Sequence, residues 1–372
     1  MKKDSYDYIV IGAGISGLSA AYHLAKDGFS ICVLEATDGK NSASYASTAE
    51  MNHDPDADWE NVIQHFGAPD TGELWRLFGD TLDTMNEFAH QVGEEHFRTD
   101  RVPAYFYSYT PEGASELEKR FSFYTQIAAN VTLDREPRPD LHPSFTAVLT
   151  THGDGVTNNQ HLLSSLTKGI LQYGGEVLYN TEVTALGDTI VQTKDGGSYV
   201  GEHIIIANGD GGGLTPAEFE IHKKITFVIS LEKNDIPELY KNAVMWDTDE
   251  PYHYIRAFGG NRIWIGGGDE RVEEYTPSPE NDEEKYRELT VYADTVLGIS
   301  EGYTRQAAWS GVFFPAKRGL PYITPIAGTN RIASVGFGGS GVVTSFLSGY
   351  LIAAWRRGDM TQYAKFFAGD WK

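Results

Sequence analysis

The sequence predicts an α/β + α+β architecture, in which a Rossmann-type nucleotide-binding domain is interleaved with a second domain built on a mixed antiparallel β-sheet. Three observations carry that expectation. The chain opens on strand, glycine turn, helix and strand within residues 7–35, a βαβ unit. It returns near its other end to strand, glycine turn and helix, in "NRIASVGFGGSGVVTSFLSGYLIAAW". Between them the chain is β-rich over 222–268. The order βαβ, mixed insertion, helix plus strands, mixed insertion, strand plus helix divides the 372 residues into two domains. One is discontinuous, over 1–80, 150–215 and 325–372, and the other, over 81–149 and 216–324, roofs it.

Each element has a local reason. "DYIVIG" is a continuous apolar run, as a parallel strand buried on both faces requires. "ISGLSAAYHLAKDG" sets Leu18, Ala21, Tyr22 and Ala25 at helical spacing and stops at Gly28. "FSICVLEA" is the second strand, and residues 37–58, rich in Ser, Ala, Asp and Asn, are loop with a short helix. Amphipathic helices follow over 72–92 and in "ASELEKRFSFYTQIAAN", with the aromatic strand "PAYFYSYT" between them. Residues 158–175 form a helix, and the strands after it turn at Asp188 and at Gly196–Gly197. "KKITFVISL", "AVMWD", "YHYIRAF" and "NRIWIGGG" are strands, 279–297 is a charged helix, and "TRQAAWSGVFF", "LPYITPI" and "NRIASVGF" are strands again.

A formal net charge of −22 argues against a nucleic-acid partner and against an anionic membrane surface. One cysteine, Cys32, excludes an intramolecular disulfide and points to a reducing compartment. No run of about eighteen apolar residues predicts a membrane span, and "MKKDSYD" leads straight into the first strand, so a soluble, cytoplasmic protein is expected.

Gly12-Ala13-Gly14-Ile15-Ser16-Gly17 is G-x-G-x-x-G in its required context: it follows a strand, opens a helix, and Glu35 ends the next strand. Gly12 permits the tight turn, Gly14 lets backbone approach a pyrophosphate, and Gly17 lets helix and strand pack closely. The helix N-terminus offers free N–H groups to phosphate, and Glu35 suits a ribose bearing a free 2′-hydroxyl. These features predict a dinucleotide and leave FAD and NAD both open.

Four stretches carry a resemblance over nearly the whole chain, in order: "VLEATDGKNSASYAS", "NTEVTAL", "HIIIANG" and "GFGGSGVVTSFLSG". Together they resemble the FAD-dependent D-amino-acid oxidase superfamily, which includes glycine oxidase, sarcosine oxidase, D-amino-acid dehydrogenase and gamma-glutamylputrescine oxidase. The resemblance implies FAD; some members attach it through a cysteine in the C-terminal half, but Cys32 is the only thiol here and lies in a strand, so the FAD is expected to be non-covalent. It implies that Ala36, Ser42, Ala43, Ser44, Ala46 and Ser47 lie along the pyrophosphate and flavin, and that the backbone of Val183 reads the adenine. Ala207, Asn208 and Gly209 match the turn beside the ADP half. Gly336, Gly338, Gly339, Ser340, Gly341, Val342, Val343 and Thr344 match the glycine turn and helix over the flavin's pyrimidine end, where backbone N–H groups and a threonine hydrogen-bond the ring. Reduced flavin is anionic there, and a helix N-terminus aimed at it stabilises that charge.

The substrate walls are expected from the second domain. Period two sets Tyr252, Tyr254 and Arg256 on one face of a strand. "WSGVFFPAKRGLPYI" adds Phe313, Phe314, Lys317 and Arg318, and "PAYFYSYT" adds Tyr105, Phe106 and Tyr107. An aromatic pocket with one or two cations fits an amine or an amino acid. The sequence departs from glycine oxidase at Phe314, where that branch has an arginine for the substrate carboxylate; Arg256 and Arg318 are the replacements available. It departs from sarcosine oxidase at Trp264, where that enzyme's lysine promotes reaction with oxygen, which favours a dehydrogenase using another acceptor, a quinone or a protein. The chemistry implied is oxidation of a C–N bond of a small amine or amino-acid derivative by hydride transfer to flavin N5, giving an imine. Two alternatives stand beside it. A flavin monooxygenase or NAD(P)H-dependent reductase would carry a Gly-Asp pair in "GFGGSG", and a flavoprotein subunit would act only in a complex.

Other motifs fail. Asp54-Pro-Asp56-Ala-Asp58 lacks the glycine and the bidentate Glu of a calcium loop, one cysteine and no H-x-x-x-H pair leave no predicted metal site, and Val342 breaks G-x-S-x-G at Ser340.

Overall fold

The computed structural model describes residues 5–55, 57–92, 100–136, 145–234, 236–276, 278, 280–295 and 302–368. Asp56 and the ends of the helix expected over 279–297 lie partly outside them; that helix is described as Glu283–Thr295.

Tyr6–Ile11 is the hub of an eight-stranded sheet. It pairs in parallel with Ile31–Leu34 on one side and Ser198–Ile206 on the other, with Ile9 opposite both Cys32 and Ile204. Glu176–Leu178 and Arg331–Val335 extend the parallel core at either side. The long Ser198–Ile206 strand also takes Ile190–Thr193 antiparallel along its N-terminal half, followed by Val183–Leu186, and Tyr322–Pro325 joins Arg331–Val335 antiparallel. The innermost strands are buried on both faces, the burial that their unbroken apolar runs anticipate.

Two helices lie against one another beside this sheet: Ile15–Lys26 and Gly341–Arg357. Their approach depends on Gly349, where a Cβ would stand 2.2 Å from the Ala20 nitrogen. Ser16 Oγ lies 2.6 Å from Ser334 Oγ and 3.0 Å from Ser348 Oγ, and Ser19 Oγ donates to the Phe346 carbonyl at 2.7 Å. Small residues and shared hydroxyls therefore join the helices that follow the two glycine turns.

The second sheet also has eight strands, ordered Thr304–Phe313, Lys224–Glu232, Arg262–Arg271, His253–Ala257, Val244–Asp247, Ala104–Ser108, Ala147–Thr151 and Val131–Asp134. All neighbours are antiparallel except Val244–Asp247 and Ala104–Ser108. Glu283–Thr295 seals part of it, burying Tyr286, Leu289 and Tyr292 against Phe227 and its neighbours. Three two-residue strands, Glu50–Met51, Gly155–Val156 and Asp100–Arg101, form a small sheet.

The expected architecture is found. Unanticipated are the strands Val131–Asp134 and Ala147–Thr151 and the helix Trp59–Phe66. Ala147–Thr151 is buried at all five positions, so it shows no polar–apolar alternation to read. Cys32 is fully buried within its strand. Among the described residues no helix is long and apolar enough to cross a membrane.

Candidate active site

The parallel strands of the first sheet end at Ile11, Leu34 and Ile206, and Ile11, Leu34 and Ala207, the residue after Ile206, line one cavity of about 1860 Å³. Open α/β sheets bind ligands at this edge. The second sheet supplies the opposite wall. The volume exceeds the roughly 300–1,000 Å³ of single-ligand pockets, so it accommodates a large cofactor together with a substrate.

The first glycine turn is explained residue by residue. Gly12 has φ +104°, and a Cβ there would lie 2.5 Å from the Ala207 carbonyl oxygen. Gly17 does not reach the cavity wall: a Cβ there would stand 2.0 Å from the Gly12 oxygen, so its hydrogen lets the helix sit on the turn. Gly14, Ile15 and Ser16 line the wall, and the Ile15 N–H donates to Ser44 Oγ at 3.0 Å. Glu35 braces the same turn. Its Oε2 accepts from the Ala13 N–H at 2.9 Å, and its Oε1 accepts from the Thr37 N–H at 2.9 Å and the Thr37 hydroxyl at 2.8 Å.

Ser42, Ala43, Ser44, Ala46 and Ser47 follow as cavity lining, with Ala36, Val183, Ala207, Asn208 and Gly209. Ala43–Ala46 is a single helical turn, capped by Ser42 Oγ. Asn159 Nδ2 donates to the Ser44 carbonyl at 3.0 Å, and the Trp309 indole donates to the Ala46 carbonyl at 2.9 Å. The loop is thus tied to the second sheet, a link that no local sequence pattern reports.

At the second glycine turn, Gly338, Gly339, Ser340, Gly341 and Val342 line the cavity. Ser340 precedes the 17-residue helix without bonding the first-turn N–H groups; its Oγ instead accepts from Asn52 Nδ2 at 3.0 Å. Three expected residues are not part of the cavity lining. Gly336 lies off the wall and links the turns, its N–H donating to the Gly209 carbonyl at 3.0 Å. Val343 is buried in the core beside the helices, and Thr344 is buried with its hydroxyl donating to the Ser340 carbonyl at 3.2 Å.

The wall also carries buried polar atoms with no partner in the protein, Asn52 Oδ1, Asn159 Oδ1 and Asn208 Oδ1. Such atoms are costly unless a bound group meets them. Together with the two glycine cradles, which any Cβ would fill, they fit a long polar cofactor such as FAD.

On the substrate side, Tyr254, Trp264 and Phe314 line the cavity as expected. Gly266 makes room for Tyr254, since a Cβ there would lie 2.2 Å from its ring. Trp264 stacks on Phe258 at 4.0 Å and meets Trp309 edge-on at 5.2 Å. Phe314 covers Gly209, whose φ of +89° leaves a Cβ 2.8 Å from the ring. Phe106 and Phe313 also line the wall, whereas Tyr107 is fully buried, bonded to Tyr292, and Tyr105 packs against the second core.

The expected cations are placed otherwise. Arg256 does not line the cavity: its guanidinium donates to the Thr48 carbonyl, to the Thr157 carbonyl at 3.2 Å and to the Ala257 carbonyl at 3.0 Å, and it lies 5.1 Å over Trp264. Burial lowers its pKa to about 10. Arg318 holds the Leu320, Pro321 and Ala368 carbonyls and covers Tyr322 at 4.2 Å. Both serve backbone carbonyls, which are obligatory partners once buried. Lys317 is exposed and pairs with Glu220 at 3.0 Å.

Sequence reasoning passed over Glu50, which ends the small-residue loop and lines the cavity. Burial pushes its carboxyl up to about 8, against the opposing pull of Arg256 and a hydrogen bond from Trp246. Its only signal in the sequence is an acid closing a run of small residues. Asp247, Asp249 and His253 also gather ligand atoms within 4.8 Å of one another, with His253 Nδ1 bonded to Asp247 Oδ2 at 2.8 Å.

Comparison with known proteins agrees with this geometry. A family model described as DAO, FAD dependent oxidoreductase, matches residues 7–355. The chain is 22% identical over 361 residues to YhfW of Bacillus subtilis (strain 168), provisionally named a Rieske 2Fe-2S iron-sulfur protein, covering 93% of this chain and 68% of that one. It is 25% identical over 383 residues to gamma-glutamylputrescine oxidoreductase of Escherichia coli (strain K12), covering 97% and 85%. The crystal structure of glycine oxidase from Geobacillus kaustophilus has the same fold, with a TM-score of 0.83 at 18% identity over 99% of each chain.

Proposed function

The chain belongs to the family of FAD dependent oxidoreductases, and from that premise we propose that it oxidises the C–N bond of a small amine or amino-acid derivative. The observation that carries the reading is the shared cavity. Glycine turns on one wall fit the cofactor, and the aromatic wall of Tyr254, Trp264 and Phe314 faces the same space. Bound FAD supplies the two-electron acceptor that such an oxidation requires. Gly12, Gly14 and the Ile15–Lys26 helix start would hold its pyrophosphate, and the Gly338–Val342 backbone its ring. The aromatic wall excludes water and holds the substrate's carbon chain, so the protein's contribution is position and desolvation. The similarity to gamma-glutamylputrescine oxidoreductase supports an amine substrate.

Trp264 on the wall supports a dehydrogenase over an oxidase. The similarity to a protein named for a Rieske centre favours a second reading, in which electrons leave to an iron–sulfur protein. Cys32 alone does not provide the two thiolates of such a centre, so the cluster would be carried elsewhere.

The test is anaerobic bleaching of the yellow protein with a panel of amines and amino acids. Bleaching by amines and slow reoxidation in air are the expected results. Bleaching only by NAD(P)H would overturn the reading, as would a protein that neither copurifies with flavin nor takes it up.

A further inference from the structure

We propose that Glu50 is the receptor for a protonated nitrogen of the substrate, so that the site selects a cationic amine over an amino acid held by its carboxylate. This deepens the amine-oxidation reading and rests on it. Glu50 lies on the cavity wall, in a two-residue strand paired with Val156, and is only 9% exposed. Its Oε1 has no partner in the protein. A buried carboxylate left open in this way carries a desolvation cost that a bound cation offsets.

The surroundings complete the receptor. Trp246 and Tyr254 line the same wall, and aromatic faces beside a carboxylate are complementary to an ammonium group. Arg256 attracts Glu50 electrostatically, but its guanidinium hydrogen bonds go to the Thr48 and Thr157 carbonyls, so Glu50 Oε1 stays open. Asp247, Asp249 and Glu250 make the same wall acidic, with Lys223 and Lys224 opposing them. A bound ammonium group favours the ionised form of Glu50, whereas a substrate carboxylate gains nothing from it and meets Asp247, Asp249 and Glu250 on the same lining.

The experiment titrates the FAD-loaded enzyme with n-butylamine, sodium butyrate and 1-butanol at about pH 9, where Glu50 is ionised and butylamine is still protonated, following flavin absorbance and tryptophan fluorescence, in wild type and in Glu50→Gln. Wild type should bind butylammonium at least about tenfold more tightly than 1-butanol, the size of one charge-assisted contact. Glu50→Gln should lose that preference while its flavin spectrum is retained. In bleaching assays the half-saturating amine concentration should rise about tenfold, with a limiting rate changed much less. A wild-type preference for butyrate overturns the proposal whatever the variant does, and so does a preference for butylammonium that survives in Glu50→Gln. If butylammonium binds through Glu50 and no amine bleaches the flavin, the receptor stands and the oxidation reading fails. If amines bleach both proteins at equal half-saturation, the receptor fails and the oxidation reading stands.

Discussion

Gly349→Ala is the sharpest perturbation this fold offers, because one methyl group would part the two helices that hold both ends of the cofactor cavity. An added Cβ would stand 2.2 Å from the Ala20 nitrogen and 2.3 Å from the Ser19 carbonyl carbon. The shortfall from ordinary contact at 3.4 Å is about 1.2 Å, and the obstacles are backbone atoms that no rotamer change can move. The helices must separate. Overpacking of this kind costs about 1–3 kcal/mol. The Ser16–Ser334–Ser348 cluster and the Ser19 bond to Phe346 span the same interface. Stretching them leaves buried hydroxyls short of partners, at about 1–3 kcal/mol for each one lost. A total near 3–5 kcal/mol is the working figure. An unfolding entropy of roughly 2.1 cal/mol/K per residue over 372 residues makes each kcal/mol worth about 1.3 °C, so Tm should fall by about 4–6 °C. FAD affinity should fall about tenfold or more, since both helix N-termini line the cavity. The assays are thermal unfolding by circular dichroism and FAD titration of the apoprotein by fluorescence. Ser348→Ala removes the hydroxyl without the clash and should cost less in both. A Gly349→Ala protein with Tm within about 1 °C of wild type and unchanged FAD affinity would refute the helix-crossing argument.

Further outcomes follow from other contacts. Glu35→Ala should weaken FAD binding about tenfold or more in the same titration while the fold survives, and unchanged affinity would remove Glu35 from the ribose. His23 has a buried Nε2 with no partner, and burial lowers its pKa to about 3. The folded chain therefore binds fewer protons than the unfolded one between pH 6.5 and 3; stability is full above 6.5 and declines as pH falls, by about 2–3 kcal/mol at pH 4.5. Urea melts of His23→Phe should lack that part of the decline, and a slope equal to wild type's would show that His23 is not its source. Gly266→Ala would set a Cβ 2.2 Å from the Tyr254 ring and push the ring into the cavity. It should raise KM for substrate severalfold and leave FAD affinity within about twofold, and an unchanged KM would take Tyr254 off the substrate wall.

The cofactor half of the site was largely legible because its chemistry is backbone chemistry. G-x-G-x-x-G and the second glycine turn are local, since they state where chain must turn or approach closely, and glycine is the only residue that allows it. Gly12, Gly14, Ile15 and Ser16 and the residues from Gly338 to Val342 therefore fall on the cavity wall. Thr344 shows the limit of the same reasoning. The resemblance identified the helix, but which of its residues line the cavity depends on how it packs, and the Thr344 hydroxyl bonds the Ser340 carbonyl one turn back.

By itself the sequence determined the two architectures, the nucleotide edge and the aromatic character of the opposite wall, because each follows from periodicity or from glycine at fixed spacing. Only the tertiary structure decided where the charges went. Arg256 and Arg318 are cations beside aromatic residues in the sequence, yet buried carbonyls from distant segments claim them. Glu50 is one acid in a loop, yet folding buries it on the cavity wall with one oxygen open. Burial and long-range partners set the free energy of a charge, and neither is written in the residues next to it.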